Sequence, residues 1–342
     1  MTIDLGFAYL QLAPSENPSA SPASIGFIDV PGHERFVHNM LCGISGIDFV
    51  LFIVAADDGP MPQTREHLAI VDLLQVRSGA IALTKIDRVD GARLDQVERE
   101  IAALFASTTL AAAPLFAVSA ATGQGVAALR AHLVATAAVL PPRHAAGNFR
   151  LAIDRSFTLP GAGLVVTGTA VSGCVAVGDQ VQVQRSGMAL RVRSIHAQNT
   201  AAADGRAGQR CALNLAGSQL RGERIQRGDW IVAGAVAPAV RKIDARLRIL
   251  ASEKRPLAHW TPVHVHLGAS DVTGRIAVLD AQAIAPGGAA RVQLALERDI
   301  GALHGDRFIV RDQSARRTLS GGTDRHLSAG ARPRPAGAPG IP

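Results

Sequence analysis

The 342-residue sequence lacks several features that would assign it to common classes of protein. No apolar run reaches the roughly 18–20 residues that a membrane-spanning helix needs, because the longest candidate, FVLFIVAA at residues 49–56, has only the length of a buried strand. The three cysteines, Cys42, Cys174 and Cys211, show no Cys-x-x-Cys spacing, so neither a zinc site nor a disulfide framework is indicated. We therefore expect reduced thiols and a cytoplasmic location.

Lysine is also scarce, and the charges are unevenly distributed along the chain. There are 3 lysines against 32 arginines. Residues 1–140 hold 8 basic and 14 acidic side chains, whereas residues 141–342 hold 27 and 14, so a net charge of −6 is followed by one of +13. A GC-rich coding bias explains the preference for Arg over Lys but not the asymmetry. The basic later part favours a polyanionic partner such as a nucleic acid.

The first 140 residues alternate between apolar β-branched runs and amphipathic segments. This pattern predicts a parallel sheet covered by helices on both faces. The predicted strands are SIGFIDV, FVLFIVAADDG, GAIALTKID and PLFAVSAATG, and the predicted helices span residues 62–76, 90–106 and 125–140.

The later part of the chain has the pattern of β-barrels. A linker at residues 141–149 is followed by short strands that are separated by turn residues, which predicts one barrel over residues 150–237 and a second over residues 238–312. Residues 313–342 are rich in Ala, Gly, Pro and Arg and have few large apolar side chains. This composition predicts a disordered tail.

Three short motifs at the ends of predicted strands have the chemistry of a guanine-nucleotide site. Asp29-Val-Pro-Gly32 offers a carboxylate that can hold Mg²⁺ through water and a glycine N–H that a phosphate can approach closely. In Thr84-Lys-Ile-Asp87, the aspartate can accept two N–H bonds from a guanine edge, and the lysine stem can cover the base. Ser119-Ala-Ala121 offers backbone groups for the guanine oxygen. Each motif alone is more often a helix cap, but together and in this order they predict nucleotide binding.

Several longer segments resemble those of one protein family. The resemblance covers about residues 1–322 and is to the selenocysteine-specific elongation factors, a branch of the translational GTPases that deliver tRNA. General elongation factors and the tRNA-binding subunit of an initiation factor would lack IHAQN and SARRTLSG, two of the segments that carry this resemblance. These segments are DVPGHERF, DDGPMPQTREHLAI, FRLAIDRSFTLPGAGLVVTGTAVSG, IHAQN and SARRTLSG.

This resemblance implies a fold, an activity and a set of site residues. The fold is an α/β parallel sheet of the P-loop GTPase type, N-terminally truncated, followed by two β-barrels. The activity is GTP hydrolysis with bound GTP and Mg²⁺, coupled to delivery of selenocysteinyl-tRNA to the ribosome. His33 would orient the attacking water, and Thr2 and Asp29 would hold Mg²⁺. The other implied GTP-binding residues are Val30, Pro31, Gly32, Thr84 (where the family usually has Asn), Lys85, Asp87, Ser119, Ala120 and Ala121.

The same resemblance implies a pocket for the aminoacyl group, formed by Arg155, Arg210, His196 and Phe7. A selenol is much more acidic than a thiol or a hydroxyl and is an anion at neutral pH. Fixed cations can therefore select it by charge, where size alone gives about 1–3 kcal/mol. Phe7 stands where the family often has an aromatic hydroxyl. The alternative for each arginine is a solvated or ion-paired barrel residue, such as Arg155 beside Asp154.

His264 and His266 lie on one face of the predicted strand VHVHLG. Two imidazoles at this spacing can bind a metal, but the sequence offers no evident third ligand. A barrel-surface or tRNA-facing role is therefore favoured.

The sequence contains no Gly-x-x-x-x-Gly-Lys-Ser/Thr motif, whose lysine neutralises charge between the β- and γ-phosphates. Its three lysines follow Thr84, Arg241 and Glu253. The glycine-rich stretch GAGLVVTGT at residues 161–169 has no lysine and predicts a hairpin. We expect this phosphate-binding loop to precede Met1, as a result of a natural deletion or of a misplaced start, and GTP binding by the chain as written to be weak or absent.

Two alternatives to a working GTPase follow from this absence. One is an aminoacyl-tRNA-binding module without GTPase competence, and the other is a gene remnant. The family also continues into winged-helix modules that bind the selenocysteine-insertion RNA element, whereas this chain ends in SAGARPRPAGAPGIP, which resembles out-of-frame sequence. We therefore expect no binding of that RNA element.

Overall fold

The computed structural model describes residues 4–12, 24–33, 36–44, 46–140, 147–217, 224–234 and 238–327. These residues form two compact units. The α/β unit contains the described residues of the ranges 6–34 and 47–140, and the barrel unit contains residues 4–5, 36–44, 46 and the described chain from residue 147 onwards. No helix in the described ranges combines the length and the apolar character needed to cross a bilayer.

Helices and strands alternate in the first part of the chain. Pro62 occupies the first turn of one helix, and the Asp90 side chain caps another by accepting a hydrogen bond from the Arg93 backbone N–H at 2.8 Å. A 3₁₀ turn spans Ile86–Arg88. Up to residue 140, the other described elements are, in chain order, β1 (Gly6–Gln11), β2 (Ser24–Asp29), α1 (Val37–Ile44), β3 (Val50–Ala55), α2 (Pro62–Leu73), β4 (Gly79–Thr84), α3 (Gly91–Phe105), β5 (Leu115–Ala117) and α4 (Val126–Val139).

The main sheet of the α/β unit is parallel, with the strand order β3-β4-β5. This confirms the predicted parallel sheet and the three helices predicted around it. Leu83 of the central strand is fully buried, and Phe52 of β3 packs edge-on against Phe105 of α3 with ring centroids 5.2 Å apart. The strand β3 lies at the edge of the sheet, where the Ile53 side chain is 57% exposed.

The strand predicted at SIGFIDV is present, but its predicted place in the parallel sheet is wrong for the described residues. β2 pairs antiparallel with β1 in a separate two-stranded sheet, with Gly6 opposite Asp29 and Gln11 opposite Ser24. An apolar run identifies a strand but does not determine the direction of its neighbour. Here the preceding chain supplies a six-residue strand of matching length.

The first barrel of the barrel unit is built on a seven-stranded antiparallel sheet in the order β11-β10-β13-β7-β6-β14-β9, which closes through pairing of β9 with β10. Its interior holds alternate strand residues such as Ile153, Val166 and Leu213. The hairpin predicted at residues 161–169 is present: β6 and β7 pair across a turn at residues 160–162, and residues 163–169 belong to β7. The strands are β6 (Arg150–Leu159), β7 (Gly163–Ser172), β8 (Cys174–Ala176), β9 (Gln180–Val183), β10 (Ala189–Ala197), β11 (Thr200–Ala202), β12 (Asp204–Arg206), β13 (Arg210–Ala216) and β14 (Trp230–Val232).

The second barrel is closed, in the order β15-β20-β18-β17-β21-β22. Its core includes Leu247, Val265 and Phe308. Two short strands, β16 and β19, pair with each other outside the barrel sheet. The strands are β15 (Val240–Ile249), β16 (Leu257–Ala258), β17 (Thr261–Leu267), β18 (Ser270–Val278), β19 (Ala283–Ile284), β20 (Ala289–Ile300), β21 (Arg307–Asp312) and β22 (Thr318–Leu327).

The predicted disorder of residues 313–342 is wrong for the part that forms β22. This strand pairs with β15 and with β21 and so closes the second barrel. Leu319 is buried in the core, and Gly322 lies so close to the Arg246 carbonyl that a side chain there would collide with it. The glycines that suggested disorder therefore serve close strand packing. Residues 328–342 of the predicted tail lie outside the described residues, as do residues 141–146 of the predicted linker.

A buried ion pair joins the two barrels. Arg150 of β6 donates from Nη1 and Nη2 to the two carboxylate oxygens of Asp306, at 3.0 and 2.8 Å. Its guanidinium carbon lies 4.3 Å from the ring centroid of Trp230. The side chain of Arg150 is only 6% exposed, so this pair is part of the packed interface between the barrels.

The helix α1 belongs to the barrel unit and was not predicted. Its apolar residues follow helical spacing, so the signal was present in the sequence. The Cys42 thiol accepts a hydrogen bond from Arg227 Nη2 at 2.8 Å, and burial raises the pKa of this thiol. The buried apolar residues of the helix are Val37, Met40, Leu41 and Ile44.

Candidate functional site

The carboxyl ends of β3 and β4 bring together a lysine and two aspartates. Lys85 follows β4 in a left-handed conformation with φ of 58°, and its Nζ lies 2.8 Å from Asp57 Oδ2 and 3.5 Å from Asp58 Oδ2. The hydrogen bond between Lys85 and Asp57 raises the pKa of the lysine and lowers the pKa of the aspartate. Both groups are therefore charged at neutral pH, and the aliphatic stem of Lys85 stands at the strand end where a base was predicted to stack.

Asp87 and Ser119 come together at the same edge of the sheet. The Asp87 carboxylate is exposed, and a hydrogen bond from the buried Ser119 hydroxyl lowers its pKa. The carboxylate is thus ionised at neutral pH and can accept hydrogen bonds from two N–H donors. Thr84 has another role, since its hydroxyl donates to the Val54 carbonyl of β3 at 3.3 Å.

The loop from Ser119 to Gly125 has a fixed shape. The Ser119 backbone N–H donates to the Gln124 carbonyl at 2.9 Å, and the Gly123 N–H donates to the Ser119 carbonyl at 2.9 Å. Gly125 has φ of 73°, and a Cβ there would lie 2.0 Å from the Ala117 carbonyl oxygen, so only glycine fits. Within this loop, residues 120 and 121 are exposed next to the buried serine.

The first predicted nucleotide motif follows β2. Asp29 is exposed at the strand end, residues 30 and 31 are half-buried and buried, and His33 is half-buried. Among the described residues, a Cβ on Gly32 would meet nothing within 4 Å, so the space beside this backbone is open. An exposed carboxylate oxygen is the type of ligand that Mg²⁺ prefers. Thr2, the other predicted metal ligand, lies outside the described residues.

Strand register places three predicted pocket residues on the outer face of the first barrel. His196 on β10 lies opposite Ala212 on β13. Ala212 lies opposite Thr167 on β7, which in turn lies opposite Arg155 on β6. With strands spaced by about 4.8 Å, His196 and Arg155 are about 14 Å apart along this row. Arg210 precedes Ala212 by two residues and projects from the same face.

Arg210 is fixed by a buried network. Its Nε donates to Asp154 Oδ2 at 2.9 Å, and its Nη2 donates to Asp154 Oδ1 and to Thr167 Oγ1, each at 2.9 Å. The Arg210 and Asp154 side chains are only 14% and 8% exposed. Asp154 therefore pairs with Arg210, not with its sequence neighbour Arg155.

Arg155 has a different environment on the same face. Its Nη2 donates to Asp4 Oδ2 at 2.9 Å and to the Leu5 carbonyl at 3.0 Å. The Arg155 and Asp4 side chains are 45% and 52% exposed. This face of the barrel thus presents one arginine held by a buried partner and one held by an exposed partner.

The other candidates are on the strands β1 and β17. Phe7 is on β1 in the α/β unit. On β17 the rings of His264 and His266 stack with centroids 6.4 Å apart, and His264 Nδ1 lies 2.9 Å from Asp271 Oδ1. Burial lowers the pKa of His266 to about 4. In the part of the chain that the structure describes, no three His, Cys, Asp or Glu side chains are placed to hold a metal ion.

Three family models match successive parts of the chain. The model described as "Elongation factor Tu GTP binding domain" matches residues 1–139. "Elongation factor Tu domain 2" matches residues 163–232, and "Selenocysteine-specific elongation factor, beta-barrel domain" matches residues 244–324. These matches confirm the predicted fold class of a GTPase-type α/β domain followed by two barrels.

Curated relatives decide the family. The selenocysteine-specific elongation factor of Escherichia coli (strain K12) is 45% identical over 323 residues, which cover 94% of this chain. That of Desulfomicrobium baculatum is 40% identical over 322 residues, with the same coverage. The chain belongs to the selenocysteine-specific elongation factors.

Solved structures agree with this membership. A crystal structure of the bacterial selenocysteine-specific elongation factor EF-Sec superposes with a TM-score of 0.82 at 27% identity, covering 96% of this chain and 52% of that one. Elongation factor SelB from Methanococcus maripaludis, in complex with the GTP analogue GPPNHP, has a TM-score of 0.81 at 26% identity and covers 96% and 74% of the two chains. The chain spans about half the length of the curated relatives it matches, since it covers 49% of each of the two named above.

Four residues that contact predicted site residues were not themselves predicted. Asp57 pairs with Lys85, and Asp4 pairs with Arg155. Asp154 and Thr167 hold Arg210. Asp57 lies in a segment that already indicated the family, so a charge pairing with the nearby lysine was within reach of sequence reasoning. Asp4 is 151 residues from Arg155, and no sequence pattern connects them.

Proposed function

We propose that the chain binds selenocysteinyl-tRNA and, as part of a selenocysteine-specific elongation factor, takes part in its GTP-dependent delivery to the ribosome. The observation that carries the proposal is the strand register that places Arg155, Arg210 and His196 on one outer face of the first barrel. The family membership supports the same assignment. The basic later part of the chain suits a polyanionic tRNA.

Charge is the physical basis of the proposed selectivity. An ionised selenol carries a full negative charge, whereas the serine hydroxyl is neutral. A charge-assisted hydrogen bond from an arginine is worth about 1.5–3 kcal/mol, so an anion gains on this face what a neutral group of similar size does not. Arg155 is exposed enough to make that bond, whereas the charge of Arg210 is compensated by its buried partner Asp154.

The nucleotide part of the proposal rests on the strand ends of the α/β unit. Asp87, with its pKa lowered by Ser119, would accept the guanine edge, and the Lys85 stem would cover the base. Asp29 and Thr2 would hold Mg²⁺, which neutralises phosphate charge when bound. His33 would orient the attacking water.

A decisive experiment compares two aminoacyl groups on one tRNA body. We expect the 342-residue protein to bind reduced selenocysteinyl-tRNA more tightly than seryl-tRNA. The variant Arg155→Gln should weaken selenocysteinyl-tRNA binding by about tenfold or more and leave seryl-tRNA binding unchanged. Arg206→Gln, which removes an exposed arginine paired with Asp204 on the same barrel, is the matched control. Equal effects of the two variants would rule out the pocket.

A second candidate function is aminoacyl-tRNA binding without GTP turnover. A fluorescent GTP analogue with Mg²⁺ distinguishes the two candidates in the 342-residue protein. No binding at high micromolar concentration would favour this second candidate. Tight binding that Asp87→Asn abolishes would favour the first.

A further inference from the structure

The carboxylate of Asp4 pairs with the guanidinium of Arg155, a residue of the proposed aminoacyl pocket. One Asp4 oxygen, Oδ2, accepts from Arg155 Nη2 at 2.9 Å, and the other, Oδ1, accepts from the Leu5 backbone N–H at 2.8 Å. Leu5 itself is buried, at 6% exposure, and its carbonyl accepts a second bond from the same nitrogen at 3.0 Å. A short turn anchored by Leu5 thus holds a carboxylate against Arg155.

Arg155 can exchange Asp4 for another anion, whereas Arg210 cannot exchange Asp154. About half of the Arg155 and Asp4 side-chain surface is exposed, whereas Arg210 and Asp154 are 14% and 8% exposed. An exposed ion pair is weak because water screens it and because its side chains lose freedom on pairing. Separating a buried pair leaves a charge without a partner in a dry environment, which is far more costly. An incoming anion can therefore replace the partner of Arg155 but not that of Arg210.

We propose that Asp4 is a carboxylate gate for the aminoacyl pocket: Asp4 and an anionic aminoacyl group compete for Arg155. This inference rests on the proposed function of that face. A neutral aminoacyl group, such as seryl, has no charge with which to displace the carboxylate and leaves Asp4 in place. The gate therefore lowers the affinity for an anionic aminoacyl group, which must displace the carboxylate, and leaves the affinity for a neutral group unchanged.

Because they compete for Arg155, binding of the anion and release of Asp4 are linked. An anion that takes Arg155 weakens the attachment of residues 4 and 5 to the barrel, and a segment held firmly on the barrel weakens anion binding by the same factor. The Leu5 side chain is buried, so its packing opposes a larger movement of this segment. The structure thus predicts that residues 4–5 report on the occupancy of the pocket.

The variant Asp4→Asn tests the gate. Asparagine keeps the size of the side chain and the Oδ1 acceptor for the Leu5 N–H, and it removes only the charge. With selenocysteinyl-tRNA kept reduced, we expect Asp4→Asn to lower the dissociation constant by about two- to fivefold, which is the range that an exposed ion pair contributes. Binding of seryl-tRNA on the same tRNA body should not change. The control is Asp204→Asn, which removes the exposed carboxylate paired with Arg206 on the same barrel and should alter neither constant.

The outcomes separate the gate from the pocket. If the unmodified protein prefers selenocysteinyl-tRNA and Asp4→Asn binds it no more tightly, the gate is refuted and the pocket stands. Weaker binding by Asp4→Asn also refutes the gate, because Asp4 would then position Arg155 for the ligand. If neither protein distinguishes the two aminoacyl groups, the proposed function and the gate both fail. Unfolding midpoints equal to that of the unmodified protein would show that the variants are folded.

Discussion

One ion pair at the strand ends of the α/β unit and one on the barrel unit differ in burial. In the α/β unit, Lys85 and Asp57 are 41% and 31% exposed. On the first barrel, Arg210 and Asp154 are 14% and 8% exposed and share a network with Thr167. Two ion pairs with nearly equal N–O distances can therefore differ in role: the exposed one can exchange its partner, and the buried one is a fixed part of the fold.

Arg155 shows that the distinction does not follow the boundary between the units. It belongs to the barrel unit, but its 45% exposure resembles that of Lys85. The residues proposed to meet ligands directly, Arg155, Lys85 and Asp87, are all at least partly exposed. Arg210 is instead held by Asp154, which fixes the orientation of its guanidinium.

The largest expected effect comes from opening the buried pair. Arg210→Gln leaves the Asp154 carboxylate buried without its bidentate partner, and we expect the free energy of unfolding to fall by about 3 kcal/mol. Urea unfolding of the full chain measures this. Arg291→Gln, which breaks an exposed pair with Asp280, is the control and should leave the midpoint unchanged. Equal midpoints for the two variants would contradict the comparison.

The next effect depends on pH and concerns His266 in the second barrel. Burial lowers its pKa to about 4, against about 6.5 in an unfolded chain. The unfolded state therefore binds more protons between these values, and stability falls as the pH is lowered through this window. We expect a loss of about 2 kcal/mol at about pH 5 from this group. Arg311, His264 and His38 contribute to the lowered pKa, and Asp271 opposes it.

The measurement is the free energy of unfolding at about pH 7 and about pH 5, for the unmodified protein and for His266→Gln. The variant should lose most of the pH dependence, although Gln lowers stability at both values if it packs less well. His196→Gln, which replaces an exposed histidine, should keep the dependence. An unchanged slope in His266→Gln would show that other groups cause the acid sensitivity.

The smallest effect is expected at the exposed pair of the α/β unit. Asp57→Asn removes the carboxylate that raises the pKa of Lys85, but both side chains are exposed and water can solvate the ammonium. We expect the unfolding midpoint to stay within experimental error of that of the unmodified protein. A clear destabilisation in urea would mean that this pair is structural and would remove the contrast with Arg210.

Much of the fold could be predicted because its signals are local. The helices α2 and α3 have apolar residues at helical spacing and start signals at Pro62 and Asp90, and β3 and β4 are continuous apolar runs. The errors arose where tertiary pairing decides. β2 takes β1 as an antiparallel partner, and β22 is a strand because barrel closure provides neighbours for a Gly-rich segment.

The candidate sites show the same limit. Motif chemistry and chain order singled out Asp87 and Ser119, which a hydrogen bond joins in the structure, and the family resemblance singled out Arg155; the ligand-binding roles of all three stay predictions. The sequence could not reveal that Asp154 turns to Arg210 instead of its neighbour, because this depends on the register of β6, β7 and β13 and on an irregularity beside Arg155. The Asp4 contact was equally out of reach, because a separation of 151 residues leaves no local pattern.

The exposed Ile53 at the edge of the parallel sheet affects how the polypeptide behaves in concentrated solution. The outer edge of β3 has no strand beside it among the described residues, and it presents backbone donors and acceptors together with an apolar side chain that is 57% exposed. Such an edge is a template for pairing with another chain. We therefore expect purified samples to associate through this edge as they are concentrated.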